Sequence, residues 1–332
     1  MEVKKYFKDI SPRTWEHPAD RSALNNLRRL PGLDELVRKL VGSTNERSVR
    51  LLALASAVRT SERQFPKVYK MMQEACAVLD VKDQPEVYVS QNPIMNAGAI
   101  GVDKPFVMLN TSLLERLSDE ELLGVIGHEL GHCLSGHALY KTLLYMLINL
   151  STMVFNIPVS QVALFAIITA LKEWDRKSEL TADRAGILVM QDQNAFYQTM
   201  MKLAGGAQIG EMDVNDFFLQ ASEYEAGGDV VDSVYKILNL MGQTHPFPVL
   251  RIAEMKTWID SGAYGKVLNG EYMYRDEETD DFFKDMSDAA KQYEEDLNRS
   301  QDPLAKSVRE LSKNFDDLRK NAEGFFGSFF RQ

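Results

Sequence analysis

The chain has 332 residues, 45% of them hydrophobic and 26% charged, and a formal net charge of −10. That length can bury a sizeable core, as one large domain or one domain with appendages. The acidic balance argues against nucleic acid as a partner, because phosphate binding needs clustered Lys and Arg. Cys76 and Cys133 are the only cysteines, so there is no disulfide framework, and two thiols suit a reducing compartment. The opening "MEVKKYFKDISPRTW" lacks the apolar run and small-residue cleavage site of a secretory signal, so a cytoplasmic location is expected.

Taken in chain order, Leu24, Leu27, Leu30, Leu33, Leu36, Val37 and Leu40 are spaced for amphipathic helices broken near Pro31-Gly32, and residues 46–79 continue a helical pattern. "PEVYVS" (85–90) and "FVMLN" (106–110) are short β-rich runs bracketing "QNPIMNAGAIGVDKP", which reads as loop and edge strand. Ser118 and Glu121, three apart and just before an apolar run, form a capping box that opens the next helix.

No charged residue occurs between Thr142 and Leu171. Asn156-Ile157-Pro158 divides this run into pieces short for a membrane span, which favours a buried helical hairpin over one dipping into a membrane. Lys141 and Lys172 flank the run and could reach an interface. At the C-terminus, Leu304, Val308, Leu311, Phe315, Leu318, Ala322, Phe325 and Phe329 step by threes and fours. This amphipathic helix is expected to dock on the body of the protein. A partner, an oligomer or a lipid surface is the alternative.

The segment "GHELGHCLSGH" (127–137) carries the chemistry. Each helical residue turns about 100°, so His128 and His132 leave one face a turn apart, as two ligands of a single zinc require. Glu129, about 100° round, reaches a water at that metal without binding the metal itself. This is the general-base position of the H-E-x-x-H motif. On a continuous helix His137 points about 180° away from His128, so it is no third ligand; a supporting, helix-end or surface role is expected. The third ligand must come from elsewhere, and "KEWDRKSELTADRAG" offers carboxylates. Glu179 and Asp183 share a face, where one can bind metal while the other orients a ligand imidazole; Glu173 and Asp175 are rivals. Gly124, Gly127 and Gly131 form a side-chain-free stripe beside the histidine face, which predicts close approach by another backbone, with a helix bearing Glu179 as one candidate.

With "HELGHCLSGH" and "SELTADRAG" both present, followed by "THPFPVLRIAEM", the chain resembles the HtpX-like gluzincin zinc metallopeptidases, a group that includes CAAX prenyl proteases, over roughly residues 60–260. The resemblance implies a mainly α, α+β fold. Its zincin-like (minigluzincin) core, with a small edge sheet, would occupy 61–265; outside the resemblance, the sequence pattern adds an N-terminal helical segment at 1–60 packing on the core and an acidic amphipathic helical tail at 266–332. The resemblance implies one zinc ion per chain, held by His128, His132 and Glu179, with Glu129 as general base. Asp183 would partner a zinc-bound histidine, His245 would steady the oxyanion, and Arg251 would match the arginine that follows. Asn96-Ala97 would hold an extended peptide or unfolded-protein substrate by strand addition. The implied activity is peptide-bond hydrolysis by a metal-activated water, in protein quality control. A non-cleaving zinc-bearing or chaperone-like scaffold, and a peptidase associated with membranes through 142–171 or the C-terminal helix, are the alternatives. The charged N-terminal helices depart from the transmembrane pair of HtpX proteins. "MNAGAIG" also lacks the aromatic often found after Asn-Ala.

Overall fold

A computed structural model describes residues 3–28, 43–150, 161–226 and 247–275. It is mainly helical with one small mixed sheet. The helices are α1 (Pro18–Arg28), α2 (Ser43–Ser56), α3 (Pro66–Val78), α4 (Thr111–Arg116), α5 (Asp119–Leu134), α6 (His137–Leu150), α7 (Gln161–Met190), α8 (Gln193–Gly205), α9 (Val214–Ala226), α10 (Pro248–Asp260) and α11 (Ala263–Leu268). The strands are β1 (Val58–Arg59), β2 (Val87–Ser90), β3 (Ala97–Ile100) and β4 (Phe106–Asn110). The expected break at Pro31-Gly32, the hairpin turn at Asn156–Pro158, His245 and the seam from Leu304 to Phe329 lie outside the described residues.

The sheet order is β1-β2-β4-β3. β2 and β4 run parallel, β1 pairs antiparallel with β2, and β3 pairs antiparallel with β4. The helical pattern expected over residues 46–79 is interrupted: Val58 and Arg59 pair with Val89 and Tyr88, and α3 restarts at Pro66, after Phe65 in a left-handed conformation. Proline at the first helical position, where its missing N–H costs nothing, marks that restart. Val87, Val107 and Leu109 join α3, α5, α7, α8 and α10 in one hydrophobic core.

The capping box forms as the sequence predicts. Glu121 N–H donates to Ser118 Oγ (3.3 Å), and Ser118 N–H donates to Glu121 Oε2 (2.6 Å). Asp119, Glu120 and Glu121 also place negative charge at the positive end of the α5 dipole. Glu121 further accepts from Lys202 Nζ at 2.7 Å, tying α5 to α8.

α5 lies hard against α7 along the glycine stripe. A Cβ built on Gly127 would sit 2.6 Å from Val189 Cβ, and one on Gly131 would sit 2.6 Å from Ala185 Cβ. From the other side, a Cβ on Gly186 would come within 2.9 Å of the Gly124 carbonyl oxygen. Only side-chain-free positions permit this approach, and it is the helix bearing Glu179 that fills the stripe.

The base of the uncharged run is buried and Lys141 beside it is half-buried. Leu143, Leu144 and Leu171 are in the interior, and Lys141 turns inward to carboxylates rather than toward an interface. Among the described residues no helix is long and apolar enough to cross a membrane.

Replacing Gly127 with Leu should push α5 from α7, lowering stability by roughly 1–3 kcal/mol, as overpacking does, and reducing bound metal. Gly210→Ala should be within about 1 kcal/mol of wild type, because nothing lies within 4 Å of its Cβ position. Thermal melts and metal content of the two variants check this; a Gly127→Leu protein with full metal content would contradict it.

Candidate metal centre and active-site cleft

His128, Glu129 and His132 project from the C-terminal half of α5 and are buried, and Glu179 on α7 is fully buried. His128 Nε2 and His132 Nε2 stand 3.2 Å apart. Glu179 completes the triangle, with Oε2 3.3 Å from His128 Nε2 and Oε1 3.1 Å from His132 Nε2. Among the described residues these three form a group of side chains that could hold a metal ion. Tetrahedral zinc with bonds of ~2.0–2.1 Å separates its ligand atoms by ~3.3–3.4 Å, so the spacing fits. The donor chemistry fits as well, since three acceptor atoms of two imidazoles and a carboxylate converge on one point in the interior.

Each imidazole is held from behind. His128 Nδ1 lies 2.9 Å from Asp183 Oδ1, and Asp183 is gripped by Arg251 of α10, whose Nε donates to Oδ2 at 2.8 Å and whose second amine donates to Oδ1. His132 Nδ1 lies 2.9 Å from His137 Nδ1. Glu179 Oε1 accepts from Lys141 Nζ at 2.6 Å, and the same ammonium donates to Asp175 at 2.7 Å.

The electrostatics follow from these contacts. Burial opposes charge on His128, but the hydrogen bonds to Asp183 and Glu179 outweigh it and lift its pKa to about 9. His132 is held well below the usual range by burial and by the Lys141 ammonium. For Asp183 burial works against the carboxylate, and Arg251 more than offsets it, leaving the pKa low. The half-buried Lys141 is kept cationic by Asp175 and Glu179 despite the desolvation cost.

His137 is excluded as a ligand for a different reason from the one its sequence spacing suggests. α5 does not continue to it. Gly136 adopts a left-handed conformation (φ 72°), the helix ends, and α6 restarts at His137 with its ring turned back onto His132. Asp20 and Lys141 are polar groups around the cluster that periodicity does not place there, whereas His137 takes the supporting role that the sequence allows it. The signal for the first break was Gly136 itself, a frequent helix terminator. Asp175, a rival ligand by spacing, is instead the partner of Lys141.

A cleft of about 240 Å³ opens over His128 and Glu129. It is lined by Ile94, Met95, Asn96 and Ala97, leading into β3, by Phe247, Pro248 and Arg251, and by the apolar side chains of Leu113, Met190, Phe196, Met200 and Leu203. Asn110 N–H donates to the Asn96 carbonyl at 3.1 Å. Antiparallel pairs alternate between bonded and non-bonded, so the backbone groups of Ala97 and Ala99 point away from β4. Among the described residues no strand pairs with that edge. His245 lies outside the described residues, two positions before Phe247.

Removing Arg251 while leaving Asp183 strands a carboxylate in the interior, so Arg251→Met should cost about 3–5 kcal/mol. In the Arg251→Met/Asp183→Asn double variant the loss should be smaller than the sum of the singles. Denaturant titrations of the four proteins check this, and additivity would contradict it.

Residues 62–259 match Peptidase family M48. The chain is 33% identical over 269 residues to plastoglobule-localized metallopeptidase 48 of Arabidopsis thaliana, covering 79% of this chain and 77% of the relative. Protease HtpX homologs of Tropheryma whipplei (strain Twist) and Streptococcus gordonii are 28% and 29% identical. These matches cover 48% and 32% of this chain, and 64% and 36% of the relatives. No solved structure matches. With a matched segment that contains the whole His128–His132–Glu179 cluster, the chain belongs to peptidase family M48 and is a metallopeptidase, acting on peptide substrates.

Proposed function

We propose that the protein is a zinc-dependent endopeptidase that cleaves extended segments of peptides or unfolded proteins, as in protein quality control. The observation that carries this reading is the convergence of His128 Nε2, His132 Nε2 and the Glu179 carboxylate on one point, beside a cleft that also exposes Glu129. One zinc ion held there would supply Lewis acidity toward the scissile carbonyl and a water of lowered pKa.

The chain's own residues do the rest. Glu129 takes a proton from the attacking water and delivers it to the leaving amine. Asp183 fixes the His128 ring so that Nε2 faces inward. The outward backbone groups of Ala97 and Ala99, with Asn96 at the head of the strand, pair with an extended substrate by strand addition. The apolar lining at Phe196, Met200 and Leu203 suits an apolar substrate side chain. His245 donates a hydrogen bond to the carbonyl oxygen as negative charge develops. Its support is the resemblance in "THPFP", together with the position of Phe247 and Pro248 in the cleft wall.

Glu129→Gln should lower hydrolysis of an unfolded-protein substrate by about 10²–10⁴-fold with metal content unchanged. Substantial residual turnover would remove Glu129 from its role. Chelation should abolish activity and lower the melting temperature, and zinc should restore both. Metal at ~1,000 times its Kd is worth about 4 kcal/mol to the folded state, a shift that calorimetry reads independently of activity.

A further inference from the structure

The two ligand histidines are braced differently. His128 meets a carboxylate directly, whereas His132 meets a second imidazole. Behind that imidazole is Asp20 of α1: its Oδ2 lies 3.0 Å from His137 Nε2. Asp20 and His137 are each 1% exposed. The approach does not meet hydrogen-bond geometry, so the carboxylate acts on the ring N–H as an off-axis charge–dipole contact. Asp20 Oδ2 is fixed by Thr181 Oγ1, which donates at 2.6 Å, and Thr181 Oγ1 accepts from the His17 backbone N–H at 2.9 Å. Thr181 stands two residues from Glu179 on α7. His137 is held edge-on by Trp174 (centroids 5.7 Å).

These contacts have one consistent assignment of protons. If His132 Nε2 offers its lone pair to a metal, its proton sits on Nδ1 and must be donated to His137 Nδ1. His137 then carries its own proton on Nε2, facing the Asp20 carboxylate. A neutral imidazole whose N–H faces an anion is a stronger acceptor at its other nitrogen. His132 thereby gains the fixed tautomer and raised basicity that a directly bonded carboxylate gives other metal-binding histidines.

We propose that Asp20, acting through His137, is the positioning carboxylate of His132, so that α1, which lies outside the segment matched to the family, is part of the metal centre. This rests on the reading of His132 as a zinc ligand.

The test uses the full chain, with zinc affinity measured by competition with a chromogenic chelator, the visible spectrum of the cobalt-substituted protein, and kcat and KM on an unfolded-protein substrate. Asp20→Asn keeps shape and removes charge. His137→Phe keeps the ring against Trp174 and removes the acceptor. Both should weaken zinc binding by about 10–100-fold, shift the cobalt bands and lower kcat with KM little changed. Val68→Ala, in the core on α3, should lower the melting temperature without moving affinity or spectrum. Wild-type affinity and spectrum in folded Asp20→Asn or His137→Phe would overturn the proposal. If Asp20→Asn does not fold, His137→Phe decides alone. His132→Ala separates the two levels: a variant that still binds zinc like wild type overturns the ligand reading itself.

Discussion

The site depends on how closely α5 and α7 approach each other. Two of the clustered residues come from one helix and the third from the other, so the distance between helix axes sets whether three donor atoms can meet. With side chains at 124, 127 and 131 the helices would stand apart by roughly the width of a methyl group or more, and Glu179 would fall short of the imidazoles. Glycine is a poor helix former, costing about 1 kcal/mol relative to alanine in a helix interior. Three in sixteen residues of α5 is therefore a sacrifice of local stability for geometry, sustained by the capping box at one end and the packed core around it.

That geometry brings unlike charges together in a dry interior, and the arrangement works because the charges alternate. Glu179 is flanked by Lys141, Lys141 also holds Asp175, and Asp183 is held by Arg251. A buried pair gains little over a well-packed apolar one, yet each member becomes indispensable once the other is present. The cluster therefore contributes less to net stability than to specificity of position. The helices that supply these charges, α6 and α10, are thereby tied to the α5–α7 pair.

Much of this was legible in the sequence because it is written at short range. The capping box is three residues, H-E-x-x-H is one turn, Glu179 and Asp183 are one turn, and the glycine stripe has helical period. β2 and β4 also stood out as β-rich runs. What escaped were features set by contacts across the chain. β1 is two residues long and exists only by pairing with β2. Lys141, at the rim of an uncharged run, reads as a residue seeking water. Its inward turn is decided by carboxylates 34 and 38 positions away. For His137 the supporting role follows from the spacing but its direction does not, because Gly136 in the left-handed region ends the helix and turns the ring back onto His132.

In the proposed mechanism, base and two of the three ligands share one helix, and the position of Glu129 gives that arrangement a physical reason. The face of α5 that carries His128 and His132 must be sealed against α7, since the cluster needs a dry surround with its charges paired. A base must also meet water and substrate, so it has to line the cleft, as Glu129 does beside His128. One residue of rotation, about 100°, sets Glu129 beside the histidine face, and His128 and Glu129 both line the cleft while His132 lies deeper. The rise of about 1.5 Å per residue fixes the separation with no hinge between them. Had the base come from a loop or from α10, its distance from the cluster would depend on tertiary packing. On α5 it depends only on the helix remaining a helix.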